Sequence, residues 1–252
     1  MDSTVVKSAR RVIEVLEFLT SEAQEATVMD VARALGYPQS STSMLLSSLE
    51  QLGYLQLSAD KRSYSPTLRV MLLGARLQSE LFGEHNILSA MDSLRQRTQK
   101  TIMLGTRQNI HVRILVSLKS PFSSLKFPVG TLRPVCRSSI GKVLLSQLPV
   151  EEAASVIRYA NAKASDEHKV DVSRLLEELD DVRASGWALT LGYPAPDRAA
   201  IAVASPPLPN QPALALNLGT TLDDLQDKSK LDEYIGELKS TVESFQFPTP
   251  QQ

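Results

Sequence analysis

Hydrophobic and polar positions follow a helical period in the first part of the chain. Apolar residues at positions 9, 12, 13, 16 and 19 share one face of a helix predicted over residues 8–20. Thr27 has the position of an N-cap for a second helix that Gly36 ends, and Pro38 opens a third helix that runs to Gly53. Two short β runs then flank a polar turn at residues 58–62. This order predicts a winged helix-turn-helix domain over residues 1–66.

A different pattern begins at residue 67. Residues 67–83 have the periodicity of a linker helix, and residues 84–252 mix β hairpins with amphipathic helices. Hairpins interspersed with helices are typical of an α+β domain and not of the parallel βαβ units of a nucleotide-binding fold. The chain is therefore predicted to be α+β, with a ligand-sensing domain over residues 84–252.

The predicted linker helix carries more apolar residues than a lone linker needs. They are Leu68, Met71, Leu72, Ala75 and Leu81. A surface of this kind can bury against the same helix of a second subunit, which predicts a dimer. Packing onto the chain's own domains stays open as the alternative.

The start of the third helix is rich in small hydroxyl side chains. Gln39, Ser40, Ser41 and Ser43 occupy its first turns, where short side chains let a helix approach the major groove of DNA. Basic residues of the first helix and of the hairpin could meet phosphate or the minor groove: Arg10, Arg11, Lys61 and Arg62. Two alternatives stay open, because serines also cap helices and single basic residues are usually only solvated.

Composition limits the partners that this chain can have. Residues 1–75 hold seven basic and eight acidic side chains, so DNA binding must depend on clustered charges and on several copies acting together. The formal net charge of the 252 residues is −1, and Cys136 is the single cysteine. The N-terminal stretch lacks a signal-peptide cleavage site and no apolar run is long enough to cross a bilayer. We therefore expect a cytoplasmic protein without a membrane partner.

Motifs for catalysis and metal binding are incomplete in this sequence. The segment "CRSSIGKV" resembles the end of a phosphate-binding loop, but Cys136 replaces a glycine and Val143 the residue that would bind magnesium. Arg137 stands where a nucleophile elbow has its first glycine. His85, His111 and His168 lack metal-ligand spacing. No catalytic residue, metal or cofactor is expected, although a small-molecule enzyme with a fused winged helix and an architectural DNA-binding protein without a ligand stay as alternatives.

The order of motifs along the whole chain resembles the IclR family of bacterial transcriptional regulators. The matching segments include "SARRVIEVLEFL", "VMDVARALGYPQSSTSMLLSSLEQLGYL", "VGTLRPVCRSSIGKVLLSQLP", "AAIAVASP" and "ALALNLG". The resemblance implies a winged-helix domain that binds double-stranded operator DNA, a GAF-like effector domain, and a homodimer or dimer of dimers. Met44 stands where members of the family often carry an arginine.

The resemblance also implies which residues line the effector pocket. They are Phe122, Leu125, Arg133, Cys136, Ser138, Ser139, Ile140, Thr190, Arg198, Ala200, Ala215 and Asn217. Ser138 and Ser139 begin a helix whose free amides can bind a carboxylate, and an arginine fork suits the same group. Together with the resemblance, these residues predict a regulator of catabolic genes that senses a small aromatic carboxylate or dicarboxylate. Exposure of Arg133 and Arg198 to solvent is the alternative.

Overall fold

The computed structural model describes residues 6–21, 23–60, 62–74, 87–123, 127–207 and 211–245. The chain divides into two compact units, Met1–Glu80 and Leu81–Gln252. The mixed α+β fold that the sequence predicts, with an N-terminal winged helix-turn-helix, is confirmed. None of the described helices has the length and apolar composition that a membrane crossing needs.

The described residues of the first unit form four helices and a three-stranded sheet in the order β1-β3-β2. Its elements are α1 (Lys7–Ser21), β1 (Ala26–Thr27), α2 (Val28–Leu35), α3 (Gln39–Gln51), β2 (Leu55–Leu57), β3 (Ser63–Pro66) and the short α4 (Leu68–Leu72). Thr27 caps α2 through a capping box with Asp30, and Gly36 ends that helix in the left-handed conformation at φ 68°. These local signals explain why α2 and α3 form where the sequence predicts them.

A small apolar core fixes the position of α3 in this unit. Val15 and Leu19 of α1 pack with Val31 of α2 and with Leu46 and Leu49 of α3. Met44 and the polar start of α3 are left outside the core, and the Met44 side chain is exposed. Helix α3 therefore buries one face and presents the other to solvent. Residues 75–86, which include most of the predicted linker helix with Ala75 and Leu81, lie outside the described residues.

The second unit is built on a six-stranded antiparallel sheet in the order β6-β5-β4-β9-β8-β7. The strands are β4 (Thr101–Gln108), β5 (His111–Leu118), β6 (Leu132–Pro134), β7 (Trp187–Leu191), β8 (Arg198–Ala204) and β9 (Leu214–Thr221). The helices are α5 (Ile87–Thr98), α6 (Ser139–Ser146), α7 (Val150–Lys163), α8 (Val172–Ser185), α9 (Leu222–Gln226) and α10 (Lys228–Glu243). A 3₁₀ turn at Asp166–His168 joins α7 to α8.

The two faces of this sheet pack against different helices. Residues of α5 and α10, such as Met91 and Leu238, share one core with Leu216 of β9. Residues of α6, α7 and α8, such as Leu145, share the other core with Ala215 of the same strand. Successive side chains of a strand point to opposite faces, so β9 contributes to both cores.

Helix α6 lies unusually close to the backbone that precedes it. A Cβ atom placed on Gly141 would be 1.9 Å from the carbonyl oxygen of Val135. A glycine is therefore required at this position. The contact holds the first turn of α6 close to the end of β6.

Candidate functional site

A cavity of about 330 Å³ lies on the α6 face of the sheet in the second unit. Its floor contains small residues at neighbouring positions, because Ala200 of β8 pairs with Gly219 of β9. Apolar walls come from Met103 of β4 and from Val112 of β5, among others. A volume of this size, largely apolar with a few polar groups, is typical of a site for a small organic molecule.

The first turn of α6 forms one polar end of the cavity. Ser138 is the N-cap of this helix and its hydroxyl oxygen accepts a hydrogen bond from the amide of Gly141 at 3.1 Å. No described group accepts from the backbone N–H of Ser139 or Ile140, and both residues line the cavity. Free amides at a helix start favour an anion, because they carry the positive end of the helix dipole.

Three basic side chains line the cavity, and none of its described lining residues is acidic. The three are Lys100, Arg133 and Arg198. Arg198 pairs with Asp197 at 3.2 Å, and the ammonium of Lys100 pairs with the carboxylate of Asp224 at 2.5 Å. Asp224 also accepts from Thr220 and Thr221, and although burial opposes ionisation, these contacts and Lys100 lower its pKa.

Arg133 is held by aromatic rings instead of by a carboxylate. Its guanidinium carbon lies 5.0 Å from the ring centre of Phe127 and 4.7 Å from that of Tyr193. Burial lowers the pKa of Arg133, and among the described residues it forms no ion pair. Arg137 stacks on Tyr193 as well, at 4.8 Å. Stacking holds Arg133 in place and leaves its planar N–H fork available to an anion in the cavity.

The cavity brings together most of the effector residues that the sequence predicts. Its lining includes Phe122, Arg133, Ser138, Ser139, Ile140, Thr190, Arg198, Ala200 and Asn217. Leu125 lies outside the described residues. The lining also includes residues that the sequence interpretation missed, among them Lys100, Met103, Phe127 and Tyr193.

Cys136 and Ala215 do not line the cavity. Both side chains are buried in the core that α6 shares with the sheet. Ala215 pairs with Gly105, and the methyl of Ile140 lies 3.3 Å from the Cβ position of Gly105, so α6 closes this part of the sheet. Burial raises the pKa of the Cys136 thiol to about 11, which keeps it protonated.

The first unit presents the polar start of α3 to solvent. Gln39, Ser40 and Ser43 are exposed, whereas Ser41 is half-buried and its hydroxyl donates to the carbonyl of Pro38 at 3.0 Å. This bond is not a capping bond, because a capping hydroxyl accepts from a backbone N–H, whereas Pro38 holds the N-cap position of α3 and no side chain caps the helix. Arg62 of the hairpin is exposed, and Lys61 lies outside the described residues.

Basic residues of α1 border a depression beside the turn that precedes α3. Lys7, Arg10 and Arg11 line it together with Tyr37. The guanidinium of Arg11 lies 4.7 Å from the ring centre of Tyr37. The Tyr37 hydroxyl donates to the carboxylate of Glu14, and burial together with this carboxylate raises the Tyr37 pKa to about 12. Tyr37 therefore orients Arg11, and Glu14 lines the same depression.

A winged helix-turn-helix unit followed by a unit with a small-molecule cavity is the layout of a ligand-responsive regulator. The family model "Bacterial transcriptional regulator IclR C-terminal" matches residues 84–246, and "IclR helix-turn-helix domain" matches residues 8–58. The chain therefore belongs to the IclR family of bacterial transcriptional regulators.

Two characterised relatives show how distant the similarity is. The regulator TsaQ1/TsaQ2 of Comamonas testosteroni is 28% identical over 166 residues, which are 65% of this chain and 59% of that protein. The regulator KdgR of Escherichia coli is 26% identical over 72% of this chain and 70% of its own length. The chain thus spans about six-tenths of the first relative's length.

Solved structures with the same fold cover nearly the whole chain. An IclR regulator from Alicyclobacillus acidocaldarius has a TM-score of 0.68 at 23% identity, over 94% of this chain and 96% of its own. An IclR homologue from Microbacterium hydrocarbonoxydans in complex with 4-hydroxybenzoate has a TM-score of 0.66 at 20% identity, over 95% and 97% of the two chains. These likenesses establish the fold.

Proposed function

We propose that the chain is a transcriptional regulator that binds operator DNA through its winged helix and a small aromatic carboxylate in its cavity. The observation that supports this class of effector is that the charged residues around the cavity are basic. Lys100, Arg133 and Arg198 line it, and no described lining residue is an Asp or a Glu. Such a site favours an anion, because Arg133 loses hydration on burial, forms no ion pair with a described residue, and gains a partner when the anion binds.

The shape and chemistry of the rest of the cavity support an aromatic acid. Met103, Val112 and Ile114 provide apolar walls, and the small residues Ala200 and Gly219 leave space for a ring. The free amides of the α6 start offer a second place for a carboxylate, which also favours dicarboxylates. The complex of the related Microbacterium protein with 4-hydroxybenzoate agrees with this class of ligand.

Calorimetric titration with benzoate and phthalate tests the effector proposal. Arg133→Ala and Arg198→Ala should each weaken binding by about tenfold or more, because each removes a charge-assisted hydrogen bond. Arg113→Ala is the matched control, since Arg113 lies on the neighbouring strand β5, bonds to Gln108 and does not line the cavity. Absence of binding by all these acids, or equal binding by both variants and the parent, would refute the proposal.

The DNA-binding part of the proposal rests on the exposed start of α3. We assign Gln39, Ser40, Ser41 and Ser43 to the major groove, and Arg10, Arg11, Lys61 and Arg62 to phosphate or the minor groove. Gln39→Ala should relax the preference at particular base pairs. Lys61→Ala with Arg62→Ala should weaken binding to every sequence and reduce its salt dependence.

Operators are first selected from genomic DNA. Mobility-shift titration of these operators at several salt concentrations then measures the base-pair preference and the salt dependence of binding. Lys163→Ala, which removes an exposed cation of the second unit, is the control and should change neither. Operator affinity and selectivity that stay unchanged in both sets of DNA variants would contradict the assignment. The operators found this way also test the proposal that the target genes serve catabolism of the effector.

The proposal includes self-association through α4. Leu68, Met71, Leu72 and Leu73 are more than half exposed, at 66%, 64%, 55% and 61%. Burial of this surface against a second copy would remove it from water, and effector binding could then change the spacing of two winged helices on a palindromic operator. Light scattering should show a dimer or tetramer for the parent and a smaller species for Met71→Glu with Leu72→Glu. A monomeric parent at micromolar concentration would exclude self-association.

A further inference from the structure

One pair of buried polar side chains in the cavity has unused hydrogen-bonding capacity. Asn217 of β9 and Ser139 of α6 both line the cavity, and their exposed fractions are 1% and 2%. The Asn217 amide nitrogen donates to the Ser139 hydroxyl oxygen at 2.8 Å and to the backbone carbonyl of Ile201 at 3.0 Å. Both of its N–H groups therefore have partners.

The Ile201 carbonyl determines which way the Asn217 amide faces. A carbonyl oxygen can only accept, so the amide nitrogen must lie on that side and the Oδ1 atom on the other. No described group donates to this Oδ1, although it is buried. A buried acceptor without a donor is unfavourable, and a ligand that supplies a donor gains from pairing with it.

Ser139 complements this acceptor with a donor. Its oxygen accepts from Asn217, so its hydroxyl hydrogen can be donated elsewhere, and no described group accepts it. The two side chains thus offer one acceptor and one donor at the same place. A hydroxyl group satisfies both, because it can donate to Asn217 and accept from Ser139. A carboxylate does not, because it only accepts and would repel the Asn217 oxygen.

We propose that the effector carries a hydroxyl group in addition to its carboxylate, and that Asn217 and Ser139 bind this hydroxyl. The proposal rests on the carboxylate site proposed above. Asn217 lies on β9, three strands from Arg133 on β6, or about 14 Å between their backbones at the usual strand spacing. The hydroxyl and the carboxylate are therefore bound at separate places, and the effector is a hydroxylated aromatic acid.

Ligands that differ in one group test this proposal on the unmodified protein. Calorimetry compares benzoate with 3-hydroxybenzoate and 4-hydroxybenzoate, and each hydroxy acid with its methyl ether. At least one hydroxy acid should bind about tenfold more tightly than benzoate. Its methyl ether should lose this gain, because the ether oxygen accepts but cannot donate.

Variants then assign the preference to the two residues. The measured quantity is the ratio of the affinities for the hydroxy acid and for benzoate. This ratio should fall to about one in Asn217→Leu and should decrease in Ser139→Ala, which carries the test if the first variant does not fold. Ser146→Ala is the matched control and should keep the parent's ratio, because Ser146 is a buried serine of the same helix that donates to Val143 and does not line the cavity.

The outcomes separate this proposal from the proposed function. If benzoates bind and depend on Arg133 but the hydroxyl adds nothing, the hydroxyl proposal is wrong and the carboxylate site stands. A preference that persists in both Asn217→Leu and Ser139→Ala also overturns it. If none of the acids binds, both proposals fail together.

Discussion

The two faces of the large sheet differ in how completely they are filled. On β9 the alternate residues Leu214, Leu216 and Leu218 enter the core formed with α5 and α10, whereas Ala215, Asn217 and Gly219 face α6. One strand thus contributes large aliphatic side chains to one side and small or polar ones to the other. The filled face holds the domain together, and the other face leaves room for a ligand. Substitutions on the two faces should therefore have opposite kinds of effect.

The largest difference is expected between Leu216→Ala and Ala200→Leu. Leu216 is fully buried, so its truncation should lower the free energy of unfolding by about 3–4 kcal/mol. Ala200 lines the cavity, and a leucine there can extend into open space, so the free energy of unfolding should change by less than about 1 kcal/mol while effector binding is lost. Urea unfolding and calorimetry measure the two quantities. Equal destabilisation by both would mean that the cavity face is packed as tightly as the other.

Two glycine substitutions compare the helices on the two faces. Gly141→Ala in α6 should cost about 2–3 kcal/mol, because its Cβ atom would collide with the Val135 backbone. Gly236→Ala in α10 is the control, since nothing lies within 4 Å of its Cβ position, and it should gain about 0.5–1 kcal/mol from helix propensity. Thermal unfolding of both variants shows directly whether each substitution raises or lowers the stability of the fold. A stable Gly141→Ala protein would show that α6 can move away from β6.

The smallest effect concerns Asp224, which connects the cavity with α10. Its carboxylate pairs with Lys100 of the cavity and with Lys230 of α10. Asp224→Asn should lower the free energy of unfolding by about 1–2 kcal/mol at pH 7. The pKa of Asp224 in the folded protein lies below the unfolded value of about 3.9. The contribution of its carboxylate to the free energy of unfolding is therefore complete above about pH 5. This contribution is lost as the pH falls through the unfolded pKa toward the folded one.

Unfolding of the parent and of Asp224→Asn at pH 7, 5, 4 and 3 checks this dependence. The difference between the two proteins should shrink between pH 5 and pH 3. Asp166→Asn breaks an exposed pair with Lys169 and should change the free energy by less than about 0.5 kcal/mol. A difference for Asp224→Asn that is constant down to pH 3 would contradict the pKa assignment.

Local signals made most of the fold predictable from the sequence. Thr27, Gly36 and Pro38 delimit α2 and α3 through bonds within a few residues, and the strands of the second unit follow from short apolar runs. The three-residue strand β6 and the short helix α9 were not predicted, because their residues carry no periodic pattern. Their structure depends on neighbours, since β6 forms by pairing with β5.

The cavity was predictable only as far as the family resemblance extends. Arg133 was predicted to line the cavity, but the rings that hold it, Phe127 and Tyr193, come from separate loops and no spacing links them. Cys136 is two residues from Ser138, yet it faces the core because the chain turns between them. Residues that meet only through tertiary contacts leave no local pattern in one sequence.

The position of β9 in the sheet has a consequence for the order of folding. This strand lies between β4 and β8, so Thr101 pairs with Gly219 across most of the second unit's sequence. Pairings so distant in sequence form slowly, because a long loop must close before any contact stabilises it. The floor of the cavity therefore does not exist while a growing chain is still short of residue 221. A ligand present during synthesis can bind only after β9 is inserted, and it then slows the reopening of a sheet that has just closed.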